Sequence, residues 1–132
     1  MSAPAWLASV VTEFGRSAGI GGLALNDRGV AALKFETGMF LRLEYVGGNL
    51  VVAMTVPSSS GSPFGVLERF KRLMAYSNPK ARYGFRVRTG FLSKSQSFVL
   101  ATVLAERDVT LPQVNGAFAV LWRLANEIGG AA

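Results

Sequence analysis

The sequence predicts an α+β fold, a five-stranded antiparallel sheet with three helices in the order α-β-β-β-α-β-β-α. Two observations carry this. The apolar spacing along the chain switches from three-and-four to two and back again, separating helical from extended segments. Glycine pairs and short glycine turns stand between consecutive period-two runs, which makes those runs hairpins and the sheet antiparallel.

The first helix is predicted over residues 4–18, where Leu7, Val10, Val11, Phe14 and Ala18 fall on one face. Pro4 suits a first turn, which loses nothing by lacking an N–H. Gly15 weakens the last turn, and Gly19, Gly21 and Gly22 end the helix. From Leu23 the period becomes two. Ala31, Leu33 and Phe35 lie on one side of a first strand, with Ala32, Lys34 and Glu36 on the other. After Thr37-Gly38 a second strand places Met39, Leu41, Leu43 and Tyr45 on one face. Gly47-Gly48 then makes a tight hairpin turn, since glycine takes the positive φ values such turns need. Residues 49–56 form a third strand that is apolar or small on both faces, as a strand buried on one side only would not need to be.

The loop PSSSGS leads to Ser62-Pro63, a cap followed by a proline at the first helical position. The central helix runs to about Tyr76, with Val66, Leu67, Phe70, Leu73 and Met74 on one stripe, and Asn78-Pro79 stops it. Residues 82–89 read as a fourth strand, with Tyr83, Phe85 and Val87 opposite Arg82, Arg86 and Arg88. Residues 97–105 form a fifth strand, again apolar on both sides. Thr110-Leu-Pro-Gln113 matches a capping box for the last helix, whose stripe includes Val114, Phe118, Leu121, Trp122 and Ala125. No repeat and no linker interrupts the 132 residues, so a single domain spanning 1–132 is expected.

Composition narrows the function classes. Half of the residues are hydrophobic and 17% are charged, far from the polar balance that keeps chains disordered. With no histidine and no cysteine, the usual general base near neutral pH and the thiolate nucleophile are both missing. Asp27 and Asp108 sit in turn-like segments, and the glutamates are scattered without metal-ligand spacing. Gly19-Ile-Gly-Gly22 follows a helix, whereas a phosphate cradle follows a strand and opens one. The Ser58-Ser59-Ser60 run has no recognisable base. The reading is therefore a binding protein with no catalytic residue, no metal and no cofactor. The longest apolar stretch, residues 98–105, is far short of the ~20 residues a membrane helix needs, so no membrane insertion is expected.

Net charge is +6, and the bases concentrate between Glu68 and Lys94. Such a block attracts phosphates or acidic protein, which leaves a small basic nucleic-acid-binding domain as the competing reading. Tyr83 and Phe85 lie on the face opposite the arginines, which fits core better than base stacking, so no nucleic acid is expected as partner.

The segment LALNDRGVAALKFETGMFLRLEYVGGNLVVAMTVP, the helix LERFKRLMAYSN and the closing AFAVLWRLANEI together resemble the class I chaperones of bacterial type III secretion, the CesT-like family. The resemblance covers nearly the whole chain, although the family is typically acidic. It implies a bacterial cytoplasmic homodimer, assembled mainly through the central helix, that wraps the N-terminal segment of a secreted effector and keeps it soluble and secretion-competent. Val66, Phe70, Leu73 and Met74 are the expected dimer anchors. The client is expected to add a strand to a sheet edge and to fill apolar pockets beside it. The candidate pocket residues are Leu7, Val11, Leu25, Leu33, Phe35, Phe85, Val87 and Phe91. Arg82, Arg86 and Arg88, on one strand face, are expected to meet acidic groups of the client. Val51, Ala53, Val99, Ala101 and Val103, or their alternate set, are expected on an open sheet face.

Overall fold

The computed structural model describes residues 3–57, 85–92, 94 and 96–129. Helix α1 spans Ala5–Ser17, and its face of Leu7, Val11 and Phe14 is wholly buried. Pro4 is the residue that precedes the helix, at φ −57°, and its carbonyl accepts the Ala8 N–H at 3.0 Å. The helix closes in a Schellman arrangement. The Ile20 N–H donates to the Gly15 carbonyl at 2.7 Å and the Gly19 N–H to Arg16 at 3.2 Å, with Gly19 left-handed at φ +76°. Gly15 is buried, and the chain folds back so closely that a Cβ there would stand 2.7 Å from Leu23 Cβ.

Five strands follow: β1 (Val30–Lys34), β2 (Phe40–Val46), β3 (Asn49–Pro57), β4 (Arg88–Leu92) and β5 (Ser97–Ala105). They form one antiparallel sheet in the order β1-β2-β3-β5-β4. The β2–β3 hairpin turns on Gly47 and Gly48, both at positive φ, as its two-residue length requires. A 3-10 turn at Glu106–Asp108 leads into α2 (Leu111–Gly129). The Gln113 N–H donates to Thr110 Oγ1 at 3.3 Å, which is one half of the expected capping box.

Register assigns the faces. Leu41, Leu43, Leu50, Val52, Met54, Phe98 and Leu100 share the inner face and are all completely buried. Helix α2 lies over β3 and β5, and α1 packs on α2. Val51, Ala53, Val99 and Ala101 lie half-buried on the outer face, with Val103 beside them 48% exposed. The first of the two alternate residue sets is thus the open one, and Leu50, Val52, Leu100 and Leu104 belong to the core.

The fourth strand differs from its expected limits of 82–89. Residues 82–84 lie outside the described residues, and among those described the hydrogen-bonded pairing runs from Arg88↔Ala101 to Leu92↔Ser97. At Phe85 the chain has left the sheet to lie against α2, where a Cβ on Gly116 would come within 2.9 Å of the Phe85 ring. Side-chain alternation persists through this departure, with Phe85 half-buried, Arg86 exposed, Val87 buried and Arg88 exposed. Facing and hydrogen bonding therefore part company here, and a period-two pattern reports only the first. The central helix expected over residues 62–76 lies outside the described residues.

Candidate polypeptide-binding edge

Hydrogen-bond parity shows which backbone groups of β1 are free. Phe35 N–H donates to Met39 at 2.8 Å, and Tyr45 N–H donates to Gly29 at 2.8 Å, so odd-numbered residues of this strand bond inward to β2. The N–H and C=O groups of Val30, Ala32 and Lys34 accordingly point off the sheet. Asn26 occupies both groups of Val30. Its side-chain Oδ1 accepts the Val30 N–H at 3.1 Å, and its own N–H donates to the Val30 carbonyl at 2.9 Å. Ala32 and Lys34 remain as the pairing positions of this edge.

Beside them on the inner face stand Leu33 and, just past the strand end, Phe35, both half-buried. Phe35 meets Trp122 edge-on at 5.1 Å, Trp122 meets Phe118 at 5.7 Å, and Phe118 meets the buried Phe14 at 5.3 Å. A row of rings thus runs from α1 through α2 to the end of β1 and gives this edge a rigid apolar flank. Leu25, half-buried, lies on the segment that leads into the strand. On the outer face Ala32 sits opposite Arg42, whose guanidinium pairs with Glu44 at 3.0 Å in solvent.

The candidate residues divide into separate groups. Leu25, Leu33 and Phe35 gather at the β1 edge, while Phe85, Val87 and Phe91 lie at the β4 side. Phe91 there packs on Phe98 at 5.1 Å. Four inter-strand spacings separate the two edges, about 19 Å, so a single added strand cannot touch both. Leu7 and Val11 must be corrected. Both are 0% exposed and belong to the core, because the apolar stripe of α1 is spent on packing beneath it. Val87, at 8%, is core as well. Arg86 and Arg88 are exposed, and Arg88 projects from the outer face of β4. Arg82 and the dimer anchors Val66, Phe70, Leu73 and Met74 lie outside the described residues. Trp122 and Ala32 were read from sequence only as a helix-stripe and a strand position, and Asn26 was not singled out. The spacing of four between Phe118 and Trp122 was the one available signal for the aromatic row. Among the described residues no group of acidic side chains could hold a metal, and no helix is long and apolar enough to cross a membrane.

At the far end of the sheet Tyr45 donates a short hydrogen bond to Glu106, tying β2 to the turn after β5. That bond, aided by burial and the carboxylate's charge, holds the Tyr45 phenol above its ordinary value of 10.0.

The five-stranded antiparallel sheet with α2 across it is the fold of solved chains from type III secretion complexes. A chain of the ExsC–ExsE complex superposes with a TM-score of 0.69 at 19% identity, over 96% of this chain and 93% of that one. The Yersinia pestis type III secretion chaperone SycH, in complex with a stable fragment of YscM2, matches with a TM-score of 0.65 at 17% identity, over 92% and 98%. A chain of the heterodimeric ExoU–SpcU complex from the type III secretion system of Pseudomonas aeruginosa matches with a TM-score of 0.60 at 14% identity, over 95% of this chain and 98% of that one. At these identities the likeness establishes the fold. The family model of the type III secretory system chaperone SycN matches residues 6–129, and the chain belongs to that family. No curated protein matches the sequence.

Proposed function

We propose that this protein is a cytoplasmic chaperone of bacterial type III secretion. In this reading it binds the N-terminal segment of one secreted effector in extended form, keeps it soluble and secretion-competent, and performs no enzymatic chemistry. Family membership supports the class. The single observation that carries the mode of binding is the β1 edge, where Ala32 and Lys34 present unpaired backbone groups beside Leu33, Phe35 and Trp122. A client strand could exchange up to four hydrogen bonds there, worth about 0.5–1.5 kcal/mol each. Alternate client side chains would lie against Leu33 and Phe35, the pattern of strand addition. To reach Phe85, Phe91 and the Arg86–Arg88 side as well, the segment must continue around the sheet by at least about six residues at ~3.3 Å per residue. An extended client of that length suits an unfolded N-terminal segment better than a short linear motif.

The dimer belongs to the same proposal and rests on the apolar stripe of Val66, Phe70, Leu73 and Met74. Light scattering at micromolar concentration gives a dimer on this reading, and a monomer ends it. Binding is tested by co-expression with the product of the adjacent gene, followed by hydrogen exchange on the co-purified complex. Slowed exchange at Ala32 and Lys34, together with a protected stretch confined to the client's N-terminus, is the expected result. Protection of a globular client domain, with the β1 amides unchanged, overturns this mode.

A further inference from the structure

The other side of the sheet carries a second unpaired backbone, independent of the β1 edge. Strand β5 is nine residues long and β4 only five, and pairing between them stops at Arg88↔Ala101. The Glu106 N–H donates to Gly48 at 3.0 Å in register with β3, so even-numbered residues of β5 bond to β3 and odd-numbered ones face the β4 side. Val103 and Ala105 therefore direct their N–H and C=O groups past Arg88, the last residue of β4 on this side that pairs with β5 among the described residues.

What lies there is a cavity of about 380 Å³, lined by Phe85, Val103, Leu104, Ala105, Asp108 and Gln113. At its border the chain at Phe85 lies against Gly116, and among the described residues none pairs with β5 beyond Ala101 on this side. Val103 is a large apolar side chain left 48% exposed at its rim. Asp108 makes no ion pair among the described residues. Gln113 uses its backbone N–H in the Thr110 cap, and its side-chain amide makes no reciprocal bond among the described residues. Two residues of outward-facing strand backbone, an aromatic wall, a free carboxylate and a free amide thus converge on one notch.

We propose that this notch is a second strand-docking ledge, which takes an extended polypeptide segment paired with Val103 and Ala105 and carrying a lysine or arginine over Asp108. Backbone pairing fixes the segment as extended, and Phe85 and Val103 receive its apolar side chains. The carboxylate selects the basic residue, against the net positive charge of the rest of the chain. The ledge stands whether or not a client adds a strand to β1.

Ala105→Pro tests the ledge without harming the fold. Ala105 sits at φ −61° and ψ 146°, which proline adopts without strain, and its N–H serves no bond within the sheet. The probes are two blocked heptapeptides of alternating threonine and valine, one with a central lysine and one with glutamate there, titrated against 15N-labelled full-length protein. The lysine peptide is expected to shift the Val103 and Ala105 amide resonances and to bind roughly 2–5-fold more tightly than its twin. Asp108→Asn should bring that ratio close to one, and Ala105→Pro should weaken the lysine peptide while thermal stability holds or rises. Shifts confined to Ala32 and Lys34, equal binding of the two peptides, or Val103 and Ala105 amides already slow to exchange in the free protein would each overturn the ledge. Shifts at Ala32 and Lys34 report strand addition at β1 and are read separately from the ledge, and the other outcomes leave effector binding at β1 untouched.

Discussion

Gly15→Ala separates two opposing effects by sign. Alanine in place of glycine within a helix is ordinarily worth about 0.5–1 kcal/mol of added stability. Here the new Cβ would lie 2.7 Å from Leu23 Cβ and 2.9 Å from the Ile20 carbonyl oxygen. Neither neighbour is the swinging end of a long side chain, so relief requires backbone movement between Ile20 and Leu23. That movement strains the Ile20→Gly15 hydrogen bond of 2.7 Å, which closes the helix. Overpacking of a tight site costs about 1–3 kcal/mol and loss of one such bond about 1 kcal/mol. The net expectation is a loss of about 1–3.5 kcal/mol, or roughly 4 °C in melting temperature for each kcal/mol at this chain length. Urea unfolding followed by tryptophan fluorescence at a fixed protein concentration measures it. Gly19→Ala is the companion, since its Cβ would meet nothing within 4 Å and only φ +76° opposes it. A Gly15→Ala protein more stable than the parent would refute the close approach of Leu23 and the reasoning built on it.

Other consequences are as direct. Thr110→Ala removes the acceptor of the Gln113 N–H and is expected to lower stability by about 1 kcal/mol in the same assay. Asn26→Ala loses the Oδ1 bonds to the Arg28 and Val30 amides, so Val30 exchange should accelerate while that of Ala31, which faces β2, does not. The neutral Tyr45 phenol is the form the fold favours, so its contribution is full below pH 10.0 and is lost as pH rises through the raised value. Tyrosinate absorbance should show one late-titrating residue that moves back toward the ordinary range in Glu106→Gln.

The sequence was most legible where facing and pairing coincide. Apolar residues on both sides marked β5 at residues 97–105, and the structure forms it over Ser97–Ala105. The Gly47-Gly48 turn fixed the β2–β3 register because a two-residue loop admits only one. Strand β4 was legible only in its side chains. The alternation of Phe85, Arg86, Val87 and Arg88 is real, but nothing local tells that Phe85 reaches across to Gly116, a contact 31 positions along the chain. The same limit misplaced Leu7 and Val11. A helical stripe announces that a face is covered without saying by what, and here α2 packs on it. The free groups of Ala32 and Lys34 had no sequence signal at all, since parity follows from register.

An open edge strand invites pairing between copies, yet the geometry of β1 limits it. Only Ala32 and Lys34 offer outward backbone groups, because Asn26 occupies those of Val30. Two copies paired edge to edge would exchange about four hydrogen bonds, worth about 2–6 kcal/mol in sum. Association costs an estimated 4–15 kcal/mol in lost translational and rotational freedom, so backbone pairing alone falls short. Self-pairing would also bring two copies of Lys34 close together on a strand edge, an arrangement that opposes aggregation. A client segment differs in bringing apolar side chains to Leu33 and Phe35 and in continuing beyond the edge, where further burial adds about 25 cal/mol per Å². The edge is thus short enough to stay unpaired alone and becomes sticky only toward a chain that also fills the flank. Lengthening it should therefore convert selectivity into self-association. Asn26→Ala frees the Val30 N–H while the backbone N–H of residue 26 still holds the Val30 carbonyl, so the edge gains one further donor, and concentration-dependent light scattering that stays unchanged in this variant would show that edge length is not what keeps the copies apart.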